Sequence, residues 1–440
     1  MVHSEKTRIV ILGGGFGGVY TAIALEKSLA RDPSVEITLL NRENFFLFTP
    51  MLHEIAASDL DITNIVHPIR KLLSRVHFFE GDVEKVDVAR RVVVVSHGGD
   101  HHHHDLPYDH LVVGLGSITN FFDLPGLAEE ALTMKSLGDA ISLRNRMIAR
   151  LEEADTECAC DVRERLLTFA VAGGGFAGIE TVASMHDFLH EAVRYYQNLS
   201  PEMIRVVLIH PGPVVLPELS EKLGRYTQAE LARRGVDVRL RTRVSSMKDG
   251  IVTLSDGSTL VTDTLVWTAG TSPHPILATL PGPKERGRLA VDENLAVPGF
   301  PGVWALGDSA AVPDSFTGKT CPPTAQHALR QARALARNLE ADLKGRTRRP
   351  FRFRTIGALA SLGRRAGVAE ILGFRFSGFV AWWLWRTIYL MKLPTIEKKV
   401  RVALEWTLDL AFEKDLVKFL TLRAPTVSHD DEEIVMGRAA

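Results

Sequence analysis

Cysteine is scarce in this chain: three residues in 440, Cys158, Cys160 and Cys321. That count excludes a disulfide-stapled secreted scaffold and suits a reducing compartment. Nowhere do eighteen apolar residues run without a break, so a membrane-spanning helix is not expected. No charge of one sign dominates, because 52 Lys and Arg meet 53 Asp and Glu. The balance removes the electrostatic argument for a nucleic-acid partner. The first residues lack a signal-peptide pattern: a few polar positions lead straight into the short apolar run after Arg8 and then into glycines. The expectation is a protein made and kept inside the cell. A chain of 440 residues exceeds one ordinary core, so two or three packed units are expected.

Glycine is what the chain has in quantity, and its spacing repeats. Residues 8–25 read RIVILGGGFGGVYTAIAL, and residues 166–183 read LLTFAVAGGGFAGIETVA. Each segment predicts an apolar strand, a G-x-G-x-x-G turn and a helix with small residues on one face. Gly13, Gly15 and Gly18 fill the first set; Gly173, Gly175 and Gly178 fill the second. Three separate needs select glycine: a tight turn, close approach of backbone to a pyrophosphate, and packing of helix on strand. The helix N-terminus then faces the anion. One such turn is weak evidence, but two copies, each between strand and helix, predict two dinucleotide sites.

A second strand should follow each helix, with an acid at its tip for a ribose hydroxyl. The first tip carries Asn41, followed by Arg42 and Glu43, and the second carries His210. Both depart from the acidic rule. A neutral or cationic His210 would not repel a 2′-phosphate, so weak discrimination against NADPH is expected. Two further strands end in glycine turns, at Gly116 and Gly270, and GVWALGDSA at 302–310 is a strand followed by a Gly-Asp turn. An aspartate there, Asp308, can accept hydrogen bonds from sugar or ribityl hydroxyls. The predicted class is α/β, with two Rossmann-like dinucleotide-binding domains, one inserted in the other, and a C-terminal amphipathic helical membrane module. The expected boundaries are 1–130 with 290–345, then 131–289, then 346–440.

Taken with these motifs, the chain resembles the two-dinucleotide-binding-domain flavoproteins, and more narrowly the type II NADH:quinone oxidoreductases (alternative NADH dehydrogenases). NRENFFLFTPMLHEIA at 41–56, GGGFAGIE at 173–180, PPTAQHALRQ at 322–331 and the segment 356–394 carry the resemblance. It implies that Gly13, Gly15, Gly18 and Asp308 hold FAD, that Gly173, Gly175, Gly178 and Glu180 line the nicotinamide site, and that Gln326 lines the quinone site. The implied reaction takes hydride from NADH, with NADPH as the alternative donor, to the flavin and then two electrons to a membrane quinone, without proton pumping. Glu180 and Gln326 are the expected catalytic pair.

From Lys344 to Arg401 there are fourteen Lys and Arg against Glu370 and Glu397 alone, and four of the six tryptophans fall between 382 and 406. An apolar helix of about 17 residues would span roughly 25 Å, short of a ~30 Å hydrocarbon core. The expectation is a helix lying in the interface, with Trp and Tyr at headgroup depth and cations on anionic lipid. With the resemblance, this implies a peripheral protein on the cytoplasmic face of the inner membrane, and a homodimer through the same module.

Two other functions compete. A sulfide:quinone reductase needs Cys321 to meet Cys158 or Cys160 across the cavity. A regulatory flavoprotein would be reduced by NADH without rapid reoxidation by quinone. His101–His104, with His97 and His110, lack the Cys and Asp spacing of a metal site and are expected in a solvated hairpin loop, with no metal. His53 is expected partly buried near the flavin, and the acidic end, residues 428–440, frayed.

Overall fold

A computed structural model describes residues 6–98, 101–409 and 411–419; the acidic end lies outside them. The first glycine turn sits on a five-stranded parallel sheet whose order is Val303–Ala305, His110–Val113, Thr7–Leu12, Val35–Asn41, His77–Glu80. Such a sheet is covered on both faces, which is why its central strand is an unbroken apolar run: Ile9, Ile11 and Leu12 are wholly buried. One covering layer is the helix Phe16–Ser28, which packs along the late helix Ala325–Leu343.

The second glycine turn sits on an equivalent sheet, ordered Leu132–Thr133, Thr264–Trp267, Thr168–Ala172, Arg205–His210, Asp237–Leu240. Its fingerprint helix, Phe176–Ala192, has few exposed residues because the C-terminal segment packs on its outer side. The two halves are tied just past Gly116 and Gly270, where Ser117–Thr119 pairs antiparallel with Thr271–Pro273.

The C-terminal segment is a three-stranded antiparallel sheet, Gly357–Ser361, Gly367–Ile371 and Phe374–Ser377, followed by helices Phe379–Lys392 and Ile396–Leu408. The apolar helix is therefore 14 residues long, shorter than its sequence suggests, because Gly378 and Pro394 bound it. Among the described residues, no helix is long and apolar enough to cross a membrane. The aromatic residues do not all face outward. Of the four tryptophans here, Trp385 and Trp406 are buried and only Trp383 is exposed, while Arg386 lies between the rings of Trp382 and Trp406 at 4.3 and 4.7 Å. The second helix instead shows an apolar outer stripe, Ile396, Val400, Leu404 and Leu408, every fourth residue.

The histidine run is not a loop. His102–Pro107 is a strand paired with Val92–His97; the His97 and His104 rings stack across the pair, and His102 meets both edge-on.

Candidate active site

The six fingerprint glycines divide into the three roles that glycine is needed for. Gly13 and Gly173 have φ of +100° and +120°, where a side chain is strained, and they make the turns. A Cβ on Gly18 or Gly178 would lie 1.8 Å from the carbonyl oxygen of Gly13 or Gly173, so helix and turn pack without a side chain. Gly15 and Gly175 have open space: nothing lies within 4 Å of a Cβ at Gly15, and only Glu218, at 3.9 Å, at Gly175. These two are also the N-caps of their helices, and neither helix has a side-chain cap. Their first N–H groups meet no side-chain cap, the arrangement that leaves a helix N-terminus free to receive a phosphate.

The tip residues explain their departure from the acidic rule. Asn41 Oδ1 accepts from the Gly14 N–H at 2.7 Å, and its Nδ2 donates to the Glu43 carbonyl at 2.7 Å. His210 does the same in the second half: Nδ1 accepts from the Gly174 N–H at 3.1 Å, which leaves Nε2–H to donate to the Val214 carbonyl at 3.1 Å. Each tip side chain therefore braces the middle glycine of its turn from the strand below. Burial holds the His210 imidazole below its ordinary range, so it is neutral at pH 7. An acid does stand near the second turn: the exposed Glu218, eight residues on, whose carboxylate lies beside Gly175. Arg42 is exposed and pairs with Glu43 at 3.5 Å.

Both helix N-termini open into one cleft of about 580 Å³, between the two sheets and the C-terminal segment. Gly116, Gly270 and Asp308 line it with Gly15. Asp308 lies in the Gly307–Ser309 turn and its Oδ2 accepts from Ser117 Oγ at 2.6 Å. Lys135, which the sequence did not single out, donates from Nζ to the same Ser117 oxygen at 2.7 Å. Burial lowers the pKa of this lysine, and the negative charge of Asp308 opposes that shift.

Glu180 lies at the deep end, in the first turns of the second fingerprint helix. Its Oε1 accepts from Trp385 Nε1 at 2.9 Å and from the Ser361 N–H at 3.2 Å. Its Oε2 faces His53 Nδ1 at 3.7 Å. Burial raises the carboxyl to about 8 despite those two donors, and burial drives His53 down to about 3. At pH 7 both are neutral, so their contact is an acid beside an imidazole rather than an ion pair. His53 is fully buried, not partly, and Tyr389 from the apolar helix lines the same wall.

Gln326 is not among the residues lining the cleft. Its Nε2 donates to the Gly357 carbonyl at 3.2 Å, tying the late helix to the C-terminal sheet. The glutamine beside the site is Gln331, whose Oε1 accepts from the Gly307 N–H at 2.8 Å and so fixes the turn that presents Asp308. No cysteine lines the cleft either. Cys158 and Cys160 are exposed, Cys321 is buried, and burial pushes the Cys321 thiol up to about 11. A thiol at that value is a poor nucleophile, and the pair that a sulfide:quinone reductase needs does not meet.

Two parallel sheets presenting paired phosphate-receiving turns to one cleft define a two-dinucleotide oxidoreductase. The pyridine nucleotide-disulphide oxidoreductase family matches residues 7–332, and the NDH2 C-terminal domain matches residues 356–415. The chain is 31% identical to the type II NADH:quinone oxidoreductase Ndh of Mycobacterium tuberculosis, over 98% of this chain and 91% of that one. It is 32% identical to the demethylphylloquinone reductase NdbB of Synechocystis, over 91% and 96%. The solved structure of NDH2 from Plasmodium falciparum with NADH superposes with a TM-score of 0.88 at 19% identity, covering 94% of this chain and all of that one. The chain belongs to the type II NADH:quinone oxidoreductase family.

Proposed function

We infer that this chain oxidises NADH and reduces a quinone through FAD, and that the shared cleft is where both half-reactions occur. The observation that supports this most is the convergence of two uncapped fingerprint helices, the Asp308 turn and a neutral Glu180 on one cavity. When bound, the flavin accepts hydride from the nicotinamide and delivers two electrons to the quinone. The protein's own part is to align the reactants, exclude water and manage protons. Gly13, Gly15, Gly18, Gly116 and Asp308 would hold FAD; Gly173, Gly175, Gly178 and Gly270 would hold the nicotinamide dinucleotide. Forming a quinol from a quinone takes two electrons and two protons, whereas NADH brings two electrons with one proton. One proton must come from the medium, and the protonated Oε2 of Glu180 is placed to deliver it. Steady-state oxidation of NADH by the detergent-purified protein should accelerate many-fold on adding menadione or ubiquinone-1; unchanged oxidation would favour the regulatory reading instead.

The domain division proposed is 1–130 with 290–345 for FAD, 131–289 for the nicotinamide dinucleotide, and 346–440 for the C-terminal module. NADH is the proposed donor over NADPH, because the Glu218 carboxylate would repel a 2′-phosphate near the second turn. Replacing Glu218 with Gln should raise the NADPH-to-NADH ratio of kcat/KM about tenfold, roughly 1.4 kcal/mol, read from steady-state kinetics with both donors. An unchanged ratio would remove Glu218 from the selection.

The proposed location is the cytoplasmic face of the inner membrane, held peripherally by the stripe Ile396, Val400, Leu404 and Leu408. These side chains are 53–79% exposed, an arrangement that water disfavours and a lipid interface accepts. The double change Val400→Glu/Leu404→Glu should weaken vesicle binding more than tenfold, since each buried apolar side chain contributes about 1.5–3 kcal/mol. Activity with a water-soluble quinone should persist. A homodimer formed through the same stripe would instead dissociate on this change, which sedimentation would detect.

A further inference from the structure

We propose that an arginine-lined groove on the outer side of the helix Ala325–Leu343 binds the phosphate of an anionic phospholipid headgroup. The proposal rests on the peripheral-membrane reading above. The groove has a volume of about 230 Å³ and is lined by Arg330, Arg333, Arg337 and Arg352, with Phe351 and Phe353 among its apolar walls. Residues 330, 333 and 337 follow helical spacing and share one face. Arg330 is fixed over the Phe353 ring at 4.1 Å, and it donates to the Gln326 carbonyl at 3.0 Å.

No carboxylate lines this groove, and among the described residues none of the four guanidinium groups has an ion-pair partner. Elsewhere the chain pairs many of its arginines, as in Arg348 with Asp342, five residues beyond the helix end. Four like charges around a concavity repel one another, so the arrangement favours an anion with several acceptor oxygens. The planar guanidinium matches phosphate with paired hydrogen bonds.

Position decides for a lipid over a free ion. Lys392 ends the apolar helix Phe379–Lys392, and it is held below the usual lysine range by burial and then by the positive charge of Arg330. The groove and the apolar helix are therefore neighbours. Gln326 lies on the same helix face, one turn before Arg330, and is bound to the C-terminal sheet. A phosphate seated on the arginines would sit beside the C-terminal module that the membrane reading places at the interface, with acyl chains beside the Phe walls.

The test is flotation of the full-length holoenzyme with two vesicle types, phosphatidylcholine alone and phosphatidylcholine containing phosphatidylglycerol. The groove variant is Arg333→Glu/Arg337→Glu. The control, with the same charge change on the nicotinamide-side sheet region, is Arg243→Glu/Lys248→Glu. All four positions are exposed. The groove variant should lose at least tenfold in binding to the anionic vesicles, while its binding to neutral vesicles and the control's binding to both stay near wild type. Equal loss in groove variant and control would reduce the effect to overall charge and overturn the site. Wild-type binding by the groove variant would overturn it too, while leaving the membrane reading in place. A wild-type protein that floats with neither vesicle would sink both. Inorganic phosphate that raises the Tm of wild type but not of the groove variant, with flotation unchanged, would make the ligand a free anion and overturn the lipid assignment.

Discussion

Replacing Glu180 with Gln should lower kcat for quinone reduction about a hundredfold, the range expected when a positioned general acid is removed. The rate at which NADH bleaches the flavin should stay within a few-fold of wild type, because that step needs no proton from the protein. The pH dependence carries the sharper reading. A raised carboxyl near 8 is protonated below that value and ionised above it, so the wild-type quinone rate should be level at neutral pH and fall as pH rises through about 8. Glu180→Gln should be slow and flat across the same window. Trp385→Phe removes a donor that favours the ionised form, so it should move the descending limb to higher pH while keeping the neutral-pH rate. A purely structural glutamate would move stability in these variants and leave the limb where it was.

The second large effect concerns the first turn. A Cβ at position 18 would lie 1.8 Å from the Gly13 carbonyl oxygen, so Gly18→Val cannot be accepted without displacing the turn that faces the cofactor. Bound flavin, measured by absorbance of the purified protein, should fall below about one tenth of wild type, with melting lowered by the cost of overpacking, about 1–3 kcal/mol. Gly257→Ala is the comparison: it has φ of +83° with nothing within 4 Å, so it should lose only the 1–2 kcal/mol of left-handed backbone and keep its flavin. Full flavin content in Gly18→Val would show that the turn is not where the cofactor binds.

The parts of the site that were legible in the sequence are those where one residue type alone meets a geometric need. The six glycines are of this kind, because turn, approach and packing each reject a side chain. Glu180 was marked only through the resemblance of its segment, GGGFAGIE, and the fold places it on the cleft wall. The turn-bracing bonds of Asn41 and His210 were not legible, because a polar residue at a strand tip can reach a ligand or the neighbouring backbone, and only folded distances show the backbone contacts. The two glutamines of the late helix differ by five positions, a little over one turn, and the rotation of that helix put Gln331 rather than Gln326 beside the Gly-Asp turn. The tryptophans followed the same logic. Composition marked an interfacial helix, but the helix turns Trp385 inward to Glu180, and Trp406 Nε1 donates to the buried Glu54 from more than 350 residues away in sequence at 3.0 Å. No local pattern encodes contacts of that separation, and the same holds for Lys135 and its bridge through Ser117 to Asp308.

An anaerobic titration reads the proposed chemistry most directly. The purified holoenzyme, carrying one flavin per chain, should lose its flavin absorbance after one equivalent of NADH and recover it on adding one equivalent of quinone, within the turnover time. A protein that binds no flavin, or whose reduced flavin quinone restores no faster than it recovers without quinone, would contradict the account.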